Sequence, residues 1–196
     1  MPSTFRIPKA PMTGLFGRAM AWYARRTYGQ IPDNGYVLMH NRPVLRAVLG
    51  FETKVARWDA LDPTLKSLAT LASAASIGCS WCLDFGYWTA RNDRLDLAKI
   101  SQVTAWRDST AFSPLERDVM EYAEAMTETP PRVTDELSAR LLGQLGAPAM
   151  VELTAWVGFA NLTTRSNTAM GIESQGFSTA CTLPLARPSI EYAASA

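Results

Sequence analysis

Helical periodicity behind strong start signals constrains this chain more than any other feature. Asp62-Pro63 sets an N-cap acid before a proline at the first helical position. Leu65, Leu68, Ala69, Ala72 and Ala75 then recur at i, i+3, i+4, i+7 and i+10. Ser113-Pro114 repeats the device ahead of Leu115, Val119, Tyr122, Ala123 and Met126, with Glu116 at the capping-box position. Thr134 caps a further segment in which Leu137, Leu141 and Leu145 recur every four residues. No stretch alternates long enough for a strand, so the expectation is an all-α helical bundle.

Punctuation fixes the remaining segments. Gly14–Tyr28 reads as a first helix with Arg18, Arg25 and Arg26 exposed, and residues 37–58 as one or two helices broken near Pro43. Gly78 closes the helix that starts at Pro63, and a short helix runs from Cys79 to Arg91. Residues 95–106 form another amphipathic segment. Gly146-Ala147-Pro148 is a turn before the most apolar helix, residues 149–170. After Gly176 the periodicity stops. The chain thus divides into an N-terminal extension with the first helix (1–34), a helical domain (35–176), and an extended C-terminal arm (177–196) that frays or packs on a neighbour.

Composition narrows the class. A chain of 196 residues is one domain by default, able to bury about 70% of its unfolded surface. With 47% apolar and 19% charged residues it is not a disordered chain. A net charge of +1, no glycine-rich phosphate loop, and no basic run longer than Arg25-Arg26 argue against nucleic-acid and nucleotide partners. Glu152 interrupts the longest apolar stretch, residues 147–164, so a core helix is expected there and no membrane partner. Residues 1–12 carry no apolar leader core, which points to a cytoplasmic protein with thiols reduced at rest.

Cys79-Ser80-Trp81-Cys82 is the one strong chemical motif. Three cysteines in this length would produce such a pair by chance roughly 0.03 times. One helix closes at Gly78 and the next opens at Cys79, where unpaired N–H groups and the positive dipole end favour a thiolate. An offset of three residues puts both sulfurs on one helical face, close enough to bond. One thiolate can then attack a peroxide or disulfide while the other resolves the product. Two plainer alternatives stand beside this. The pair could be buried structural cysteines, or it could join His40 and Cys181 as a Cys₃His zinc set that lacks a second close pair.

Residues 66–86, KSLATLASAASIGCSWCLDFG, resemble the core of the carboxymuconolactone decarboxylase/AhpD-like family. Further likeness lies in MHNRP at 39–43, LER at 115–117, YAEAMT at 122–127, VELT at 151–154 and NLTTRSN at 161–167, so that about residues 35–172 are covered. The resemblance implies an all-helical fold that forms homo-oligomers. It also implies a thiol peroxidase that acts on a small-molecule peroxide or disulfide with a thiol reductant, and needs no cofactor or metal. In that scheme Cys82 attacks and Cys79 resolves, whereas the helix-dipole argument alone makes Cys79 the more acidic thiol.

The chain departs from the family at the proton relay. The family's Glu, twelve residues before the first cysteine, and its His, four after the second, correspond here to Ser67 and Gly86. Neither side chain is a base near neutral pH, so thiolate formation rests on the helix terminus. His40, the one imidazole in the chain, is the best substitute base; Glu52 and Glu152 have no local argument. Asp84, two residues past Cys82, is expected to face away as a first-turn acid. Trp81 and Phe85, with Tyr87 and Trp88, either line an apolar pocket or belong to the core. Asn161, Arg165 and Asn167 are expected to stitch helices or subunits together, and Cys181 to be an unpaired thiol. Two other functions remain open: a decarboxylase-like enzyme with Arg165 as the cation for a substrate carboxylate, and a non-catalytic or redox-sensing protein.

Overall fold

The computed structural model describes residues 5–181 and 183–186. Within them the chain forms α1 (Gly14–Tyr28), α2 (Asp33–Leu38), α3 (Arg42–Val55), α4 (Pro63–Ile77), α5 (Ser80–Asn92), α6 (Leu97–Ile100), α7 (Pro114–Thr127) and α8 (Asp135–Ala169), with no strand among the described residues. The start signals act as the sequence implies. The Asp62 carboxylate accepts the Thr64 N–H at 2.7 Å, and Ser113 and Glu116 exchange hydrogen bonds in a complete capping box. Asn41 caps α3 through the Val44 N–H at 3.2 Å, which splits residues 37–58 between two helices.

α4 is the central element and packs against α5, α7 and α8. Leu68, Ala69, Leu71 and Ala72 are fully buried on it, and the alanines let neighbouring backbones approach. Val119 and Met120 of α7 and Leu153 and Val157 of α8 complete this core. A kink at Gly146 (φ 75°, ψ 165°) divides α8 into two helical stretches, so the turn written in Gly146-Ala147-Pro148 is present. No helix among the described residues is long and apolar enough to cross a membrane.

Two segments differ from the sequence expectation. Residues 95–106 yield only the single turn of α6 and a 3-10 turn, Val103–Ala105. The Ser101 carbonyl, which a continuous helix would give to Ala105, instead accepts the Ala186 N–H at 2.7 Å, and the Thr104 hydroxyl also bonds the Ala186 carbonyl. The C-terminal segment packs on its own chain: Phe177–Ala180 is a 3-10 turn against α5, and the Tyr87 hydroxyl donates to the Leu183 carbonyl at 2.8 Å. The rest of the expected arm, residues 187–196, lies outside the described residues.

Candidate functional site

Gly78 ends α4 in the left-handed region (φ 80°) and turns the chain straight into α5. Cys79 is the N-cap of α5, and its Sγ accepts the Cys82 N–H at 3.2 Å. Cys82 sits three residues on, on the same face. The two sulfurs are 2.28 Å apart, near disulfide distance, with Cα atoms 5.3 Å apart. The sequence expectation of two joinable sulfurs at a helix terminus is therefore met in geometry.

Access is restricted. Cys79 is 2% exposed and Cys82 8%. Val37, Ala74, Ile172 and Phe177 pack around them. On the α8 side, Asn167, itself buried, brings its side-chain Nδ2 to 3.5 Å from Cys82 Sγ. This residue was expected to join helices. Its contact with a sulfur is invisible in sequence because the two groups belong to helices far apart along the chain.

The segment after α8 closes the other side. Asp84 is not a first-turn, dipole-complementing acid, as the first turn of α5 holds no acidic residue. It is buried, and its carboxylate accepts the N–H groups of Gln175 (3.0 Å), Phe177 (3.0 Å) and Ser178 (2.6 Å). Burial pushes its pKa up, but hydrogen bonds from Ser178, Ser174 and Phe177 outweigh that and hold it below the ordinary carboxylate range. Gln175 joins three segments through its side chain. Its Oε1 accepts from the Trp81 indole (2.8 Å) and the Asp33 N–H (2.7 Å), while its Nε2 donates to the Ile31 carbonyl (3.2 Å).

Trp81 and Phe85 stack with ring centroids 4.8 Å apart, and the Phe177 ring meets both edge-on. Tyr28 from the end of α1 adds an edge contact to Phe85, and Trp88 stacks on that ring. These side chains thus form one aromatic cluster beside the sulfur pair. Tyr87 departs from that group: it is fully buried in the main core.

The remaining candidates are placed elsewhere or spent on structure. His40 is exposed between α2 and α3 with Nε2 2.8 Å from the Pro8 carbonyl, and the adjacent Met39 packs with Ala10 and Leu45 in a separate apolar cluster. Glu152 pairs with Lys66 (2.6 Å) and accepts the Ala60 N–H (2.7 Å). Desolvation raises the Glu52 carboxyl, whose charge acts on Tyr28 at the rim of the aromatic cluster. Arg165 is held by Asn161 Oδ1 (3.1 Å) and the Thr127 carbonyl, and Asn161 by the Thr127 hydroxyl (2.8 Å). Cys181 is a free thiol raised chiefly by burial. No three His, Cys, Asp or Glu side chains gather as a metal site among the described residues, so the Cys₃His set is not assembled. At the relay positions, Ser67 is half-buried, and a Cβ on Gly86 would stand 3.0 Å from Leu71 Cδ2.

Comparison with known proteins agrees with this architecture. Residues 42–125 match the Carboxymuconolactone decarboxylase family. The uncharacterized protein YnjA of Escherichia coli (strain K12) is 35% identical over 182 residues, spanning 91% of this chain and 97% of that protein. The structure of the alkylhydroperoxidase AhpD core, an uncharacterized peroxidase-related protein from Ralstonia eutropha JMP134, superposes with a TM-score of 0.77 at 16% identity, covering 90% of this chain and 96% of that one. The debrominase Bmp8 superposes with a TM-score of 0.73 at 18% identity, covering 83% and 88%. At these identities the structural likeness establishes an AhpD-like all-α fold. With the near full-length YnjA match and the family match over α3 to α7, it follows that the chain belongs to the carboxymuconolactone decarboxylase family.

Proposed function

We propose that the chain is a thiol-dependent oxidoreductase in which Cys79 and Cys82 alternate between dithiol and disulfide, reducing a hydroperoxide or a partner's disulfide. The observation that carries this reading is the sulfur pair at bonding distance on the N-terminus of α5. With a hydroperoxide, one thiolate attacks oxygen and the O–O bond breaks. The alkoxide takes a proton from solvent and leaves as the alcohol, and the attacking cysteine becomes a sulfenic acid. The second thiol attacks that sulfur, the S–S bond forms, and hydroxide leaves with the thiol proton as water. An external thiol reductant supplies two electrons to restore the dithiol.

The test is peroxide and disulfide turnover by wild type, Cys79→Ser and Cys82→Ser with a dithiol reductant. Wild type is expected to turn over and to lose both thiols together on mild oxidation, and both variants to lose turnover. Full turnover by Cys82→Ser overturns the reading. Burial of both sulfurs favours a second reading, a redox-sensing protein without brisk turnover. It predicts thiol pKa values near the ordinary ~8.5 and slow reaction with peroxide. The decarboxylase-like alternative loses its cation, since Arg165 is committed to Asn161 and Thr127.

A reducing, cytoplasmic setting and assembly into homo-oligomers belong to the same proposal. Exposed Leu15 (89%) and Trp22 (68%) on α1 support association with further copies. Light scattering is expected to give a mass above the 21.5 kDa of one chain; a monomer at micromolar concentration contradicts it.

A further inference from the structure

We infer that Asn167 is a catalytic residue: its side-chain amide carries part of the charge on Cys82 Sγ and so determines which sulfur of the pair is the better thiolate. The inference rests on the oxidoreductase reading and concerns the same two sulfurs.

Asn167 Nδ2 stands 3.5 Å from Cys82 Sγ, within hydrogen-bond range for sulfur. Asn167 is 4% exposed, and a buried polar group needs a partner. Among the described residues, the sulfur is the one hydrogen-bond partner its side chain has. Each sulfur thus receives one N–H. Cys79 takes a backbone donor fixed by the start of α5, and Cys82 takes a side-chain donor brought in by the last turn of α8.

The donor's chemistry suits the task. An amide N–H stabilises a thiolate, yet asparagine neither gains nor loses a proton at working pH, so it adds no competing charge. It holds charge without moving a proton, and the proton leaves to solvent. Charged and titratable groups stand on the elements around the pair. On α5 the Asp84 carboxylate faces the 175–178 turn and opposes thiolate formation nearby. From α1 comes the Tyr28 phenol, pushed up chiefly by burial, with Glu52 of α3 acting on it. Lys9 and Asp33 pair at the start of α2, and Arg6 binds the Ala169 carbonyl at the end of α8. Against the Asp84 charge, a donor aimed at one sulfur decides between two thiols that cannot readily ionise together.

Two steps gain from this donor. Cys82 becomes the better attacking thiolate toward a peroxide. When an external thiolate attacks Cys79 Sγ, the S–S bond breaks and its electron pair goes to Cys82, which is the better leaving group because its thiolate is stabilised. The reductant is thereby directed to Cys79.

The experiment uses the full chain, fully reduced, as wild type, Asn167→Leu and Asn167→Asp. The pH dependence of iodoacetamide alkylation is read at each cysteine by mass spectrometry, and total thiolate by its ultraviolet absorbance, which needs no access to the sulfur. Asn167→Leu is expected to slow Cys82 alkylation at neutral pH by about threefold, through a midpoint raised by about one pH unit that the greater nucleophilicity of the more basic thiolate partly offsets. The Cys82 rate at the high-pH plateau is expected to rise by no more than about threefold, as a more basic thiolate is the better nucleophile, and the Cys79 midpoint to stay or fall. Asn167→Asp, with a negative charge against the sulfur, is expected to shift Cys82 further. A purely structural role would change plateau rates for both cysteines and leave the midpoints. An unmoved Cys82 midpoint in either folded variant overturns the assignment, as does an equal shift of both cysteines. Should neither variant fold, Asn167→Ser, whose shorter side chain cannot reach Sγ, decides by the same readout. Wild-type thiols inert to both peroxide and disulfide overturn the oxidoreductase reading instead, so the two failures are distinct.

Discussion

Asp84 holds the turn that covers the sulfurs. Three backbone N–H groups of the 175–178 turn converge on one buried carboxylate, and the Phe177 ring attached to that turn lies in the apolar shell of the pair. Asp84→Asn keeps the size but replaces charge-assisted hydrogen bonds by neutral ones. The expected loss in urea denaturation is about 2 kcal/mol, with faster alkylation of reduced Cys82 as the turn loosens. Stability and alkylation both equal to wild type would show that the carboxylate is not the latch. The folded pKa of Asp84 is depressed, so its contribution is fully present above the unfolded value of ~3.9 and is lost as pH falls through the lower folded value. Asp84→Asn should therefore flatten part of the acid limb and leave the neutral plateau's shape alone. At this scale Cys79 and Cys82 are legible in sequence, because motif and helix terminus both lie within a few residues. The roles of Asp84 and Asn167 are not, because their partners arrive from the other end of the helical domain.

The junction of α4 and α5 sets the orientation of the pair, and it turns on one glycine. Gly78 has φ 80°, and a Cβ there would meet nothing within 4 Å. Gly78→Ala thus carries only the backbone cost of a left-handed residue, about 1–2 kcal/mol. A thermal melt should show that loss, while the intact Cys79–Cys82 pair still closes on oxidation, counted by free-thiol titration. A neutral or stabilising effect would mean that the junction adopts another backbone conformation. The proline-led starts at Asp62 and Ser113 are readable because a cap and its N–H lie two or three residues apart. Residues 95–106 carry an amphipathic pattern without forming a continuous helix for the opposite reason: Ala186 from the far end of the chain takes the Ser101 carbonyl. Local pattern names the propensity, and a distant backbone group decides the outcome.

Across the whole molecule, two core helices meet at an ion pair that the sequence hides. Lys66 on α4 and Glu152 on α8 stand 2.6 Å apart with both side chains largely buried, and the ammonium also donates to the Trp58 carbonyl at 2.5 Å and lies over the Trp156 ring. Glu152 in turn accepts the Ala60 N–H, so the loop before α4 is tied to the helix that carries Asn167. In sequence Glu152 merely interrupts an apolar run, since nothing local announces a lysine waiting on another helix. Burial pushes its pKa up, yet Lys66 and the Ala60 and Leu61 N–H groups outweigh this and hold it down. Its stabilising contribution is accordingly complete above an unfolded value of ~4.3 and disappears as pH drops through the depressed folded value. Glu152→Gln strands a buried ammonium, and breaking such a pair costs about 3–5 kcal/mol. Replacing both partners by apolar groups, Lys66→Met with Glu152→Leu, removes the stranded charge along with the attraction. The double variant should therefore be more stable than Glu152→Gln alone in urea denaturation at neutral pH. If it is equally or less stable, the pair contributes through its ties to the Trp58 and Ala60 backbone rather than through charge.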